Sequence, residues 1–274
     1  MKLFISLVLI AFMATLLFSQ QNDIKLSFGD NTVINKNVNP VLKKNPKEKD
    51  FSFTVNPYLW TTAIGGSVQL PETQPYYFSL AFTDAVKDLK MAAMIAGRFK
   101  YKSVSLLYDV VYVKLKPELS VPVYTGYISG TAEIEEFTGD FSLAYRLPIK
   151  NKNIQLDFYG GTRVWSLSNK LDLTASNGST FSRDTSKTFA DPIFGMGGIF
   201  ILSDKWYSYI KADIGGFGVS SDWTSAFMWG FGYKFSYNWN TSLGFKSIYI
   251  DYNKDKFIWN VSEYGLLFSL GYQF

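Results

Sequence analysis

From Trp223 to Tyr237 the chain reads WTSAFMWGFGYKFSY. Trp223, Ser225, Phe227, Trp229, Phe231, Tyr233, Phe235 and Tyr237 fall at alternate positions, and Thr224, Ala226, Met228, Gly230, Gly232, Lys234 and Ser236 fall between them. A period of two is that of an extended strand, whose successive side chains point to opposite faces. One face is therefore bulky almost from end to end, while the other holds small residues and one charge. A soluble sheet packs its apolar face inward and turns its charges to water. The inverse pattern belongs to a barrel whose outer wall meets lipid. The segment after Asn238-Trp239-Asn240 repeats it, with Leu243, Phe245 and Tyr249 opposed to Gly244 and Lys246.

The chain closes on EYGLLFSLGYQF, Glu263–Phe274. Tyr264, Leu266, Phe268, Leu270, Tyr272 and Phe274 form one face, and Glu263, Gly265, Leu267, Ser269, Gly271 and Gln273 the other. Working outward from these two segments, alternation and turn residues mark about ten strands. Their spans are 51–69, 89–100, 103–116, 127–147, 154–174, 187–202, 205–219, 223–237, 240–253 and 257–274. The expected fold is all-β, a closed antiparallel transmembrane barrel of about ten strands, with eight or twelve as alternatives. Short connections at FKYKS, PIKNKN, LSDK and YNWN alternate with longer ones at PETQPYYFSLAFTDAVKDL, PELSVPVYTG and SNGSTFSRDTSK. Barrels of the bacterial outer membrane have short periplasmic turns, longer outer loops and an even strand number. Both termini are thus expected on the periplasmic side. Thr83–Leu89 carries a helical turn or two, which either caps the first outer loop or folds into the mouth.

Composition narrows the chemistry. Lys and Arg number 27 against 23 Asp and Glu, with no excess that would suit a nucleic acid. Aromatic residues make up 18% of the chain, and histidine and cysteine are both absent. The commonest general base and transition-metal ligand is missing, as are thiolate chemistry and disulfides. No cofactor or metal is expected. Residues 1–19 read as a secretory signal peptide, with Lys2 followed by an apolar run from Leu3 to Phe18; a membrane anchor is the alternative. Residues 20–50, rich in Asn and Lys, read as a flexible polar leader before a barrel domain at 51–274.

With its alternating aromatics and final Phe274, the last strand resembles the closing strand of Gram-negative outer-membrane β-barrels. On that resemblance Tyr264, Phe268, Leu270, Tyr272 and Phe274 form a β-signal read by the barrel-assembly machinery. NPYLW (Asn56–Trp60), GGTRVWSL (Gly160–Leu167), DPIFGMGG (Asp191–Gly198) and DIGGFGVSSD (Asp213–Asp222) resemble an uncharacterised family of small porin-like barrels. The resemblance implies an outer-membrane location and outer-membrane lipid as partner, and it carries no activity.

If Phe227, Trp229, Phe231, Tyr233, Phe235 and Tyr237 face lipid, the opposite parity faces the lumen. It gathers Lys90, Arg98, Arg146, Arg163, Lys211, Lys234 and Lys246 with Asp109, Glu136, Asp140, Asp157, Asp213 and Glu263. These signs nearly balance, whereas an ion-selective pore would show a ring of one sign. About eight strands enclose little beyond side chains and open channels appear at about sixteen, so about ten leave little room. The expectation is therefore a plugged or narrow lumen in a non-enzymatic barrel of structural or surface role, with a narrow diffusion or uptake channel as alternative. A lipid hydrolase or acyltransferase would have to do without histidine, and Lys211 with Asp213 is the inward pair to inspect. Gly160-Gly161, Gly197-Gly198 and Gly215-Gly216 open no helix, so they suit close packing of the wall rather than phosphate binding.

Overall fold

The computed structural model describes residues 50–69, 74–123 and 126–274. The expected signal peptide, and the leader up to Asp50, lie outside them. Twelve strands form one antiparallel sheet: β1 (Phe51–Gln69), β2 (Tyr76–Leu80), β3 (Leu89–Tyr101), β4 (Val104–Leu115), β5 (Glu118–Val123) and β6 (Gly126–Arg146) come first. β7 (Ile154–Ala175), β8 (Thr180–Ile201), β9 (Trp206–Gly216), β10 (Trp223–Lys234), β11 (Trp239–Lys254) and β12 (Phe257–Gln273) complete it. Ten of them are staves of a ring, β1-β3-β4-β6-β7-β8-β9-β10-β11-β12, and β12 pairs back onto β1 from Thr54↔Gln273 to Gln69↔Ile258. Closure pairs the staves around the terminal half of the ring, as a sheet in hydrocarbon requires, while the β1–β3 seam is paired only from Phe51↔Tyr101 to Pro57↔Ile95 and parts above it.

The remaining two strands sit above the ring. β2 pairs β1 over Ile64–Val68, and β5 pairs β6 over Gly126–Thr131, each in a segment that the sequence suggested was loop. The β7–β8 hairpin also runs further than expected, pairing to Thr174↔Thr180. In its outer part β7 sets Lys170 and Asp172 on one face and Leu171 and Leu173 on the other, but β8 from Thr180 to Lys187 is polar apart from Phe181, so no hydrophobic period marks that half of the hairpin. β10 ends at Lys234 rather than at 237. Phe235 and Tyr237 accordingly lie in the turn Phe235–Asn238, not on the strand face assigned to them. That turn is held by Trp239 N–H donating to Ser236 Oγ at 3.1 Å.

The β3–β4, β6–β7, β8–β9 and β10–β11 turns lie with the start of β1 and the end of β12 at one end of the barrel, here the terminal end; the other connections, from the long β1–β3 one to the two-residue β11–β12 turn, lie at the other, the loop end. The helical segment at the loop end is one turn, Phe82–Ala85, continued by a 3-10 turn at Val86–Asp88, and neither buries a residue. It does not enter the lumen. Lys90 falls in a register shift between Leu89 and Met91, which leaves it exposed rather than among the interior charges.

On the outer wall, Tyr264–Tyr272 of β12 and Ile154–Val164 of β7 present no charge, nor do the outward positions of the other staves at that height. A tilted strand needs about 9–11 such residues to cross a bilayer. Leu266, Phe268 and Leu270 are each about half exposed, as are Leu143, Phe158 and Phe194 elsewhere on the wall. Toward the terminal end the belt finishes in Tyr101, Tyr145, Trp206 and Trp239, amphipathic rings of the kind that settle at a membrane–water boundary. The first outward charges, among them Lys114, Glu133, Glu135 and Asp251, stand above the belt. There Lys114 donates to both carboxylates at 2.6 Å, and its hydrogen bond holds the Glu133 carboxyl below the ordinary carboxylate range.

Candidate functional site: the barrel interior

The inward faces carry three layers, met in the same order along the staves. Nearest the terminal end is a vestibule. Next comes a belt of ion pairs. The loop half is filled by apolar side chains. On β1 the order is Thr54 and Asn56, then Tyr58, then Trp60; on β7 it is Asp157, Arg163, then Trp165 and Leu167; on β11 it is Asn240 and Ser242, Lys246, then Ile248, Ile250 and Tyr252.

The belt is built from two linked networks. Arg163 is wholly buried. Its Nε and Nη2 donate to Asp140 at 2.7 and 2.8 Å, Nη2 also to Asp213 at 3.0 Å, and Nη1 to Thr224 at 3.1 Å. Tyr159 donates its hydroxyl to the other oxygen of Asp213 at 2.9 Å. Beside this, Lys246 donates to Tyr58 and Asp109, both at 2.8 Å, and Tyr58 donates to Asp109 at 2.5 Å. Asp109 and Asp140 are opposite each other on β4 and β6, so the two networks adjoin. Lys211 completes the group at 4.0 Å from Asp140, its ammonium 5.0 Å from the Tyr159 ring centre. Carboxylates buried at this depth persist only when paired and hydrogen-bonded.

Glu136 and Glu263 lie inward at the upper margin of the belt. Glu136 accepts from Thr138 at 3.3 Å, and Glu263 Oε1 is buried without a hydrogen-bond partner among the described residues. Arg98 and Arg146 converge from β3 and β6 on Asp157 in the vestibule, at 2.6 and 2.5 Å. Lys234, at the vestibule mouth, lies 5.8 Å from the Tyr207 ring centre. Asp191, which parity also sends inward, was not among the charges expected there. It accepts from the Ser220 and Ser221 backbone amides and from Ser221 Oγ at 2.6 Å, pinning the β9–β10 turn.

The inner glycines of β10 and β11 have a steric reason. A Cβ on Gly232 would sit 2.0 Å from Cζ of Tyr207, and one on Gly230 or Gly244 within 2.6 Å of the Tyr209 hydroxyl. The small face seen in the sequence is thus a bed for two tyrosines, whose hydroxyls reach Asn240 at 2.9 Å and Ser242 at 3.5 Å.

Above the belt, Trp60, Val111, Trp165, Leu167, Phe189, Ile248, Ile250, Tyr252, Phe257, Trp259 and Val261 pack together across the lumen. Phe189 stacks on Tyr252 with ring centres 4.2 Å apart, and Phe78 of β2 packs against the group from above. Trp60 fastens it to the belt by donating Nε1–H to the Lys246 carbonyl at 3.2 Å. This apolar plug was missed because the inner face was read for its charges alone. The signal was present, since Trp165 and Leu167 share the parity of Arg163, and Ile248 and Ile250 that of Lys246.

Neither Lys211 nor Asp213 is hydrogen-bonded to a serine among the described residues. No grouping of potential metal ligands occurs among them either.

The chain is thus a closed ten-stave antiparallel β-barrel with a charge-free outer belt and a layered interior. No known family profile matches it, and no curated protein does. Among solved structures it is similar to the outer membrane protease OmpT from Escherichia coli, at 10% identity over 85% of this chain and 99% of that one, with a TM-score of 0.45. It is also similar to Neisserial surface protein A, at 13% identity over 82% and 98% with a TM-score of 0.32. The Pseudomonas putida toluene transporter TodX matches at 12% identity over 86% and 93%, with a TM-score of 0.36.

Proposed function

We propose that this chain is an integral outer-membrane barrel of structural or surface role, non-enzymatic and closed to solute flow. One observation carries the reading: the apolar plug spans the lumen on top of the ion-pair belt. The outward belt supplies the membrane half of the argument, because its exposed apolar side chains need lipid to cover them. A water path would have to cross the plug, whose members Trp165, Ile250 and Val261 are fully buried. What the barrel offers outside is its polar β7–β8 hairpin and the exposed Tyr76 and Tyr77 of β2. A hydrolytic reading finds Asp213 already held by Arg163 and Tyr159 in the belt.

Reconstitution tests both halves. Refolded protein should float with lipid vesicles after an alkaline carbonate wash, and the vesicles should not swell in iso-osmotic arabinose. Recovery in the soluble fraction would overturn the membrane assignment. Swelling at a rate that rises with protein content would overturn the closed lumen.

A further inference from the structure

We infer that the vestibule at the terminal end is a binding site for small polyvalent organic anions, such as polycarboxylates and phosphate esters. The chamber has a volume of about 680 Å³, within the roughly 300–1,000 Å³ usual for small-molecule sites. Five cations from four staves line it: Arg98 and Lys100 of β3, Arg146 of β6, Lys211 of β9 and Lys234 of β10. Against them stand two side-chain carboxylates, Asp157 and Asp109. Asp109 is already matched by Lys246 at 2.8 Å and by the Tyr58 hydroxyl, so it contributes little to the field of the chamber.

The surplus has a geometry. One carboxylate, Asp157, serves both Arg98 and Arg146, leaving the two guanidinium groups sharing a single negative charge. Lys211 stands 4.0 Å from Asp140, whose closer contacts are with Arg163. Lys234 makes no ion pair among the described residues and rests against a tyrosine ring. Cations held on rigid strands around a chamber with low-dielectric walls focus a positive potential into it. Guanidinium groups favour bidentate anionic oxygens, and two ammonium groups can each take a further one. An anion with two or more charged groups answers this set; a neutral sugar does not.

The belt and plug form the floor of the chamber, so a ligand enters and leaves by one mouth. Only that clause rests on the closed-lumen reading, and the test is independent of it. Isothermal titration of the full chain in nonionic detergent, at low ionic strength, would use citrate and glucose 6-phosphate, with glucose as the neutral probe. Saturable heats are expected for the two anions and none for glucose. The Lys211→Gln/Lys234→Gln variant should bind at least tenfold more weakly. Lys234→Gln alone, at an exposed position, should lose several-fold with an unchanged unfolding transition. Asp157→Asn, which releases both arginines, should bind several-fold more tightly. Absence of saturable anion binding, glucose binding as strongly as its phosphate, or unchanged affinity in folded Lys234→Gln and in the double variant would overturn the site. Failure of the closed lumen would appear instead as vesicle swelling, with these heats unaffected.

Discussion

Removing the Arg163 guanidinium tests the ion-pair belt where it is tightest. Arg163→Met keeps an unbranched side chain of similar length but deletes four hydrogen bonds, two to Asp140 and one each to Asp213 and Thr224. Both carboxylates remain enclosed, with side-chain exposures of 8% and 0%. Breaking a buried pair by removing one partner costs about 3–5 kcal/mol, because the surviving charge stays desolvated. Lys211 still faces Asp140 and the Tyr159 hydroxyl still donates to Asp213, which places the expected loss near the lower figure, about 3 kcal/mol. Equilibrium urea unfolding of protein refolded into lipid vesicles, followed by tryptophan fluorescence, reads this directly. Adding Asp140→Asn to the variant removes one of the stranded charges and should recover about 1–2 kcal/mol. A loss below about 1 kcal/mol, or no recovery in the double variant, would refute the view that these groups are held by mutual pairing.

Gly232→Ala should destabilise the barrel by about 1–3 kcal/mol, since the added methyl meets the Tyr207 ring. A second change, Tyr207→Leu, should relieve that cost, as read from the unfolding midpoints of both variants. Lys102 occupies the first central position of the two-residue β3–β4 turn with φ +52°, where glycine is preferred. Lys102→Gly should therefore raise stability by about 1 kcal/mol in the same assay. Phe274 is exposed and packs only at the margin, on Phe53 and Tyr272, with ring centres 5.5 and 4.6 Å away. If it serves the assembly machinery rather than the fold, Phe274→Ala should refold in vitro within about 0.5 kcal/mol of the native chain. Its level in outer membranes of an expressing Gram-negative host should nonetheless fall several-fold on immunoblots.

Much of this architecture was legible in alternation alone. The runs from Trp223 and from Leu243 show their inverted faces plainly, because bulk gathers on the outer wall, where Phe227 packs against Phe200 and Ile210, while the opposite wall must leave room for Tyr207 and Tyr209. Three kinds of feature were harder to read. β2 and β5 are only five and six residues long, and the outer part of β8, Thr180–Lys187, holds Phe181 as its one large apolar residue, so their alternation is too brief to read. Phe235 and Tyr237 continue the β10 alternation past its true end, because a turn residue can match a strand's parity by accident. The plug was hidden by a different cause. Trp165, Phe189, Tyr252 and Trp259 are as bulky as lipid-facing residues, and only their shared parity with Arg163, Asp191, Lys246 and Glu263 assigns them to the inside. The pairing of the belt charges depends on contacts between distant strands, such as Lys246 with Asp109, which no local pattern encodes.

The closed lumen is the claim on which most else depends, and single-channel recording in a planar bilayer tests it most directly. Protein shown to be refolded and inserted should give no current steps. Thinning the plug by Trp60→Ser, Trp165→Ser and Ile250→Ser together should produce steps proportional to salt concentration. Stable, salt-proportional steps from the unaltered chain would contradict the account.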